Sequence, residues 1–274
     1  MNITIIGCGY VGYALAKYWQ DRMSLMITAT TTTIERIPEL QAVSHKVVVV
    51  KGDDSAGLKS ILKDQDVAIL SIGSKKFTPY EETYLQTAKN LVPVLQDNST
   101  LKQLIYTSSS SIYGNQDGVV VDEQTPPNPT SSTGKVLRET EEVLMTASNE
   151  RLRVCILRLG GIYGPGRELV KIYSRVAGKT RPGNGQQPAN WIHLDDIVGG
   201  IELARHQHLQ GIYNLVDDAN LTNREVIDRV CEQHNLPKVI WDSSQSSQRQ
   251  YNANISNQKI KDAGYKLLHP NMIF

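Results

Sequence analysis

The chain has few cysteines, almost no net charge and no long apolar run, and each shortage argues against a class of protein. Cys8, Cys155 and Cys231 are an odd, widely spaced set. They argue against a disulfide framework or a cysteine metal site and fit reduced thiols in a cytoplasmic protein; no metal is expected. Lys and Arg number 29 against 28 Asp and Glu, a net charge of +1 with a pI near 7.7. That leaves no excess of one sign to suit nucleic acid or an anionic membrane, so the expected partner is a small molecule. No apolar stretch approaches the roughly 18 residues of a membrane span, and no signal-peptide pattern precedes the first apolar run. There is no internal repeat, and 274 residues with 40% apolar content suit one large domain with a modest lobe.

What is present is concentrated at the start. An apolar run, Ile3 to Ile6, enters Gly7, Gly9 and Gly12, after which Val11, Ala14, Leu15, Tyr18 and Trp19 fall at helical spacing. The pattern is a buried strand, a tight turn and a helix. Gly7 permits the turn, Gly9 has no side chain to block a pyrophosphate, and Gly12 lets the helix lie close on the strand. The first helical turn, with Tyr10 and Val11, offers N–H groups to phosphates. The alternative is that these glycines only pack a helix on a sheet.

Further strands are expected at 24–30, 46–50, 66–72, 101–107, 153–159 and 211–216. Between them helices are expected at 34–40, 55–62, 79–96, 131–145 and 168–177, with others starting at 191 and spanning 223–234, and a short one ending at Gly264. Residues 178–189, rich in Gly, Pro, Asn and Gln, read as a loop over a site. Strands alternating with helices imply right-handed βαβ units, an α/β doubly wound parallel sheet, and ligands at the carboxyl ends of its strands. The second strand ends in Ala29-Thr30-Thr31-Thr32-Thr33, without the carboxylate that normally holds the ribose 2′-hydroxyl of NAD, and Arg36 follows. This points to NADP over NAD, while β-propensity plus a helix cap also accounts for the threonines. Asp53 and Asp54 suit an adenine amine or a helix N-cap. Ser71-Ile72-Gly73 lets backbone pass close to a cofactor.

These motifs resemble the extended short-chain dehydrogenase/reductase superfamily, in its NAD-dependent epimerase/dehydratase group. The resemblance rests on Gly7-Cys8-Gly9-Tyr10-Val11-Gly12, Thr107-Ser108-Ser109 with Ile112-Tyr113-Gly114, Leu157-Arg158 with Ile162-Tyr163-Gly164-Pro165-Gly166, His193-Leu194-Asp195-Asp196-Ile197, and Gly211-Ile212-Tyr213-Asn214. It implies a Rossmann-type sheet over nearly the whole chain, with a small C-terminal substrate-binding lobe formed mainly by 164–190 and 217–274. Homodimers through the helices at 79–96 and 131–145 are a family expectation.

The resemblance implies catalysis by a Ser, a Tyr and a Lys, the last two as Tyr-x-x-x-Lys. Ser109 matches the serine and Lys135 the lysine, but Ser131 stands where the tyrosine belongs. A phenol near a lysine cation is tuned toward neutral pH; an aliphatic alcohol is far less acidic. Ser131 therefore suits orienting a substrate or water, and Lys135 also suits holding the nicotinamide ribose. Tyr113 and Tyr163 are alternative phenols. The motif after the sixth strand places Gly161 and Ile162 beside the cofactor, with Tyr163, Arg167 and His193 as substrate-side residues. Arg167 is the best single candidate for an anionic substrate group. The expected activity is NAD(P)-dependent oxidoreductase or epimerase chemistry on a small hydroxyl or carbonyl substrate, such as a sugar nucleotide. The alternative is a catalytically inactive NAD(P)-binding regulator or interaction protein.

Overall fold

The computed structural model describes residues 1–74, 78–247 and 251–274, so the end of the polar stretch 243–250 lies outside the described residues. Seven strands form one sheet: β1 (Asn2–Ile6), β2 (Met26–Thr31), β3 (Lys46–Val49), β4 (Val67–Leu70), β5 (Gln103–Ser109), β6 (Arg153–Leu159) and β7 (Gly211–Leu215). Their order is β3-β2-β1-β4-β5-β6-β7. β1 pairs in parallel with β2 and β4, β2 with β3, and β4 with β5. The order reverses between β1 and β4, the switch point at which such sheets open a crevice.

Strands covered on both faces read as continuous apolar runs, because neither side meets water. In β1, Ile3, Thr4 and Ile5 are fully buried and Ile6 nearly so. Thr4 is tolerated there because its hydroxyl donates to the Ile61 carbonyl at 2.8 Å. The helix Tyr10–Arg22 buries Val11, Leu15 and Trp19, one stripe at a spacing of four. Trp19 turns its one polar atom outward, Nε1 donating to Glu202 at 2.7 Å.

The chain divides into two compact units. One comprises Met1–Ser109, Ser132–Arg158 and Val198–Tyr213, and its core joins β4 and β5 to Leu58, Leu62, Leu91, Leu95 and Leu144. The other comprises Ser110–Ser131, Leu159–Ile197 and Asn214–Phe274. It includes residues 164–190 and 217–274, expected for the lobe, together with 110–131, 159–163, 191–197 and 214–216. Asn190 is a hub of this second unit: its amide donates to Tyr251 Oη at 2.7 Å and the Ala253 carbonyl at 2.8 Å, and its oxygen accepts Ile255 N–H at 2.9 Å. Asp196, fully buried, holds the C-terminal segment, accepting from Tyr265 Oη, Leu268 N–H and His269 N–H.

Three details depart from the sequence expectations. Trp191–His193 is a strand, paired in parallel with Gly161–Tyr163, and the helix starts only at Leu194. Thr180–Pro182, within the expected loop, pairs with Ile240–Asp242. Asn115–Val121, for which no element is expected, pairs with Asn252–Ile255.

Candidate functional site

The glycine loop is shaped by β4. Gly7 has φ +82°, and a Cβ there would lie 2.6 Å from Ile72 Cγ2, 2.8 Å from the Ser71 carbonyl oxygen and 2.9 Å from Ile72 Cα. Ser71 and Ile72 thus force a glycine at the turn. Ser71 is itself fixed, its N–H donating to the Ile6 carbonyl and its Oγ accepting from Thr107. Gly12 brings the helix onto the strand, since a Cβ there would meet Ile5 Cγ2 at 3.0 Å and the Gly7 carbonyl oxygen at 3.1 Å.

Gly9 is different. Among the described residues other than its chain neighbours, a Cβ there would come no closer than 3.9 Å to any atom, at the Gly7 carbonyl oxygen, and its φ of −85° is not left-handed. Packing does not demand this glycine. Gly9 is also the N-cap of the helix Tyr10–Arg22, which has no side-chain cap and no acidic residue in its first turn. A helix end of this kind, with Tyr10 and Val11 at its start, favours an anion. Gly73 is likewise open: apart from its chain neighbours, a Cβ there would have no atom of the described residues within 4 Å.

The residues at the end of β2 turn inward. Thr30 is buried, its Oγ1 accepting Gly7 N–H at 3.0 Å, so it braces the loop from beneath. Thr31 is also buried, and its Oγ1 accepts Thr33 N–H at 3.0 Å in a local turn. Arg36 reaches the loop itself: Nη1 donates to the Cys8 carbonyl at 2.7 Å, while Nε and Nη2 each hold Glu39 at 3.0 Å. Burial pushes the Cys8 thiol up to about 12, so it is inert. Asp54 is the N-cap of the helix Ser55–Leu62, accepting Gly57 N–H at 2.8 Å, and Asp53 beside it is exposed.

Ser109 closes β5, and Lys135 lies exposed on the helix Ser132–Met145; both belong to the first unit. Between strand and helix runs a buried network that the sequence pattern does not announce. Ser108 Oγ donates to Glu141 Oε1 at 2.5 Å, and Arg158 Nη2 donates to Glu141 Oε2 at 2.8 Å. Ser131 lies one residue before this helix and is half-buried in the second unit, so the helical repeat does not set its direction.

The two alternative phenols serve the fold. Tyr113 is fully buried and donates to Asn214 Oδ1 at 2.9 Å. Tyr163 is also buried, accepts Ile273 N–H at 3.2 Å and packs edge-on against Trp191 and His193. Burial raises its pKa to about 12, away from acid–base duty near neutrality. His193 is buried too, its Nδ1 accepting Asp195 N–H at 3.2 Å, and burial with the neighbouring His269 holds its pKa down. Donor atoms of His193, Asp195 and His269 lie within 4.8 Å of one another, close enough for a cation, although each already has a hydrogen-bond partner in that cluster. Gly161 touches Trp191, with a Cβ position 2.8 Å from its ring. Ile162 is half-buried and Arg167 exposed; both line an open groove in the second unit with Trp191.

Asp217, in the same unit, is 8% exposed; one oxygen accepts Ala219 N–H, and the other has no partner among the described residues. Burial lifts its pKa from 3.8 to about 7. The folded chain then binds more protons than the unfolded chain between these values, so this group's contribution to stability falls as pH rises through that window. Asp217→Asn is expected to gain about 1–2 kcal/mol at pH 8 and nothing at pH 4, the amide still leaving a polar group buried. Urea unfolding at the two pH values measures the difference.

Comparison with known proteins accords with this geometry. The family model described as the NAD dependent epimerase/dehydratase family matches residues 3–216. Protein YeeZ of Escherichia coli strain K12 is 31% identical over 225 residues, covering 80% of this chain and 78% of that protein. The solved structure of a functionally unknown conserved protein from Silicibacter pomeroyi superposes with a TM-score of 0.81 at 22% identity, covering 98% of this chain and 94% of that one. Thermus thermophilus UDP-glucose 4-epimerase, solved in complex with NAD, gives 0.79 at 19% identity, with coverage of 98% and 94%. Among the described residues no helix is long and apolar enough to cross a membrane. With the family model spanning the glycine loop through β7, and a relative above 30% identity over most of both chains, the protein belongs to the NAD-dependent epimerase/dehydratase family.

Proposed function

We propose that the chain is a nicotinamide-dinucleotide-dependent oxidoreductase or epimerase acting at a hydroxyl or carbonyl carbon. The observation that carries this reading is Gly9: a glycine that neither packing nor a left-handed φ requires, at the start of a helix without a side-chain cap. That cradle fits a pyrophosphate, and the other loop glycines are explained by the turn and by packing. When bound, the nicotinamide accepts or donates hydride. Ser109 would polarise the reacting oxygen, Lys135 would hold the ribose, and Ser131 or a water oriented by it would relay the proton. A sugar nucleotide, the compound in the name of the Thermus UDP-glucose 4-epimerase, is a candidate substrate.

NADP is the proposed preference. It rests on the lack of a carboxylate at the end of β2 and on Arg36 beside the Cys8 carbonyl. Glu39 stands against it, because a 2′-phosphate must compete with that carboxylate for the guanidinium. A cytoplasmic location is supported by three buried cysteines.

Calorimetric titration with NADP(H) and NAD(H), on the wild type and on Gly9→Ala, tests the reading. The wild type is expected to bind, NADP(H) more tightly. Gly9→Ala is expected to fold and to lose at least about tenfold in affinity. Equal binding by wild type and variant, or no binding by folded wild type, overturns it.

A further inference from the structure

His193, Asp195 and His269 converge in the second unit, and the function proposed above makes no use of them. His193 ends the strand Trp191–His193, Asp195 lies in the first turn of the helix Leu194–His206, and His269 comes from the C-terminal segment, 74 residues beyond Asp195. One atom from each, a ring nitrogen or a carboxylate oxygen, lies within 4.8 Å of the other two. Asp195 Oδ2 is 3.4 Å from His193 Nδ1 and 3.1 Å from His269 Nε2, and the two ring centroids are 4.0 Å apart. Zinc bonds of about 2.0–2.1 Å at tetrahedral angles put neighbouring ligand atoms about 3.3 Å apart. Two edges of the cluster are close to that length. The third closes as the His269 ring turns, and at 25% side-chain exposure that ring is not locked in a core.

The atoms of this cluster cannot all satisfy one another. Asp195 N–H donates to His193 Nδ1 at 3.2 Å, which requires that nitrogen to be unprotonated. Its lone pair and Asp195 Oδ2 are then two acceptors 3.4 Å apart. A protonated Nδ1 would suit the carboxylate but face Asp195 N–H donor to donor. A cation removes the conflict by taking the Nδ1 lone pair and the carboxylate oxygen together. Asp195 N–H then turns to solvent, which is at hand because Asp195 is exposed, and an N–H of a first helical turn has no intrahelical acceptor to lose. The partial positive charge of the helix start opposes a cation, and the carboxylates of Asp195 and Asp196 offset it. The surroundings hold the ligands in place. Asp196 accepts Leu268 N–H at 2.6 Å and His269 N–H at 3.0 Å, fixing the backbone that brings His269 to the cluster, and Tyr163 packs edge-on against His193.

We propose that His193 Nδ1, Asp195 Oδ2 and His269 Nε2 bind a Zn²⁺ ion, with water in the fourth position on the exposed side of Asp195, and that the ion fastens the C-terminal segment to the start of the helix Leu194–His206. Two imidazoles and one carboxylate suit a borderline ion such as Zn²⁺, whereas Mg²⁺ and Ca²⁺ favour oxygen ligands throughout. Such a site stands whether or not the chain binds a dinucleotide.

The test is calorimetric titration of the full chain, stripped with EDTA and dialysed, with Zn²⁺ and separately with Mg²⁺. The chains compared are the wild type, Asp195→Ala, His269→Ala and a surface control, His206→Ala with His208→Ala. Asp195 is exposed and His269 half-buried, so their variants are expected to fold, as circular dichroism checks. The wild type and the control are expected to bind a single Zn²⁺ per chain in preference to Mg²⁺, and Asp195→Ala and His269→Ala each to lose at least about tenfold. Co²⁺ is expected to give the wild type the intense visible bands of a tetrahedral complex and to give His269→Ala none. Saturating Zn²⁺ is expected to slow amide exchange at Leu268 and His269. No Zn²⁺ binding by the folded wild type, unchanged affinity in both ligand variants, an equal loss in the control, or an octahedral Co²⁺ spectrum overturns the site. Zn²⁺ binding that leaves exchange at Leu268 and His269 unchanged overturns the fastening role.

Discussion

Glu141→Ala is expected to destabilise the chain by about 3–5 kcal/mol, the range for removing one partner of a buried ion pair. Glu141 and Arg158 are 4% and 2% exposed, and Arg158 Nε and Nη2 reach Glu141 Oε2 at 3.1 and 2.8 Å. Removing the carboxylate buries a guanidinium without its counter-charge and takes the acceptor from Ser108 Oγ. The cost comes mainly from what is left behind, not from the strength of the pair. Replacing both residues with methionine is therefore expected to cost less than the single change, and urea unfolding of both variants measures this. A double variant at least as destabilised as Glu141→Ala would show that the network stabilises beyond its desolvation cost. The network also matters to the site, because Glu141 is on the helix that carries Lys135 and Ser108 adjoins Ser109.

Gly7→Ala is expected to cost at least about 3 kcal/mol and to abolish dinucleotide binding. The left-handed φ of +82° costs an L-residue roughly 1–2 kcal/mol. Overpacking adds about 1–3 kcal/mol, and here two of the three closest atoms, the Ser71 carbonyl oxygen and Ile72 Cα, are backbone and do not turn aside. Relief requires shifting β4 away from β1, and that strains Ser71 N–H on the Ile6 carbonyl and Gly7 N–H on Thr30. The contrast with Gly9→Ala is the informative part: Gly7 is required by its left-handed φ and by β4, whereas Gly9 is proposed to be required by what binds it. Thermal unfolding and NADP(H) titration of the two variants side by side check it; a Gly7→Ala chain as stable and as competent as wild type would mean that the loop is not held by β4.

The sequence alone determined the central sheet and the glycine loop, because both are written in local patterns. Apolar runs of four to seven residues alternate with stripes at helical spacing, and Gly7, Gly9 and Gly12 occupy the one stretch where a strand meets a helix start. Those signals need no distant partner to be legible. Cap chemistry was equally local, and Asp54 proved to be the N-cap of its helix. The tertiary structure decided what depends on distant chain. Thr30, polar and a candidate ligand, turned inward because Gly7 N–H, on another strand's loop, donates to its hydroxyl. Tyr113 and Tyr163 became core because Asn214 and Ile273, about a hundred residues on, supplied partners for their hydroxyls. The strand Asn115–Val121 exists through pairing with Asn252–Ile255, and its polar, glycine-interrupted sequence carries no alternation to announce it. Arg167 was visible as a candidate for an anionic substrate group; that Lys171, Arg175 and Trp191 share its groove is decided by the fold. Local patterns specify where the chain turns and which face it buries, whereas a side chain's partner is set by pairings across long separations, and these are resolved only when the whole core forms.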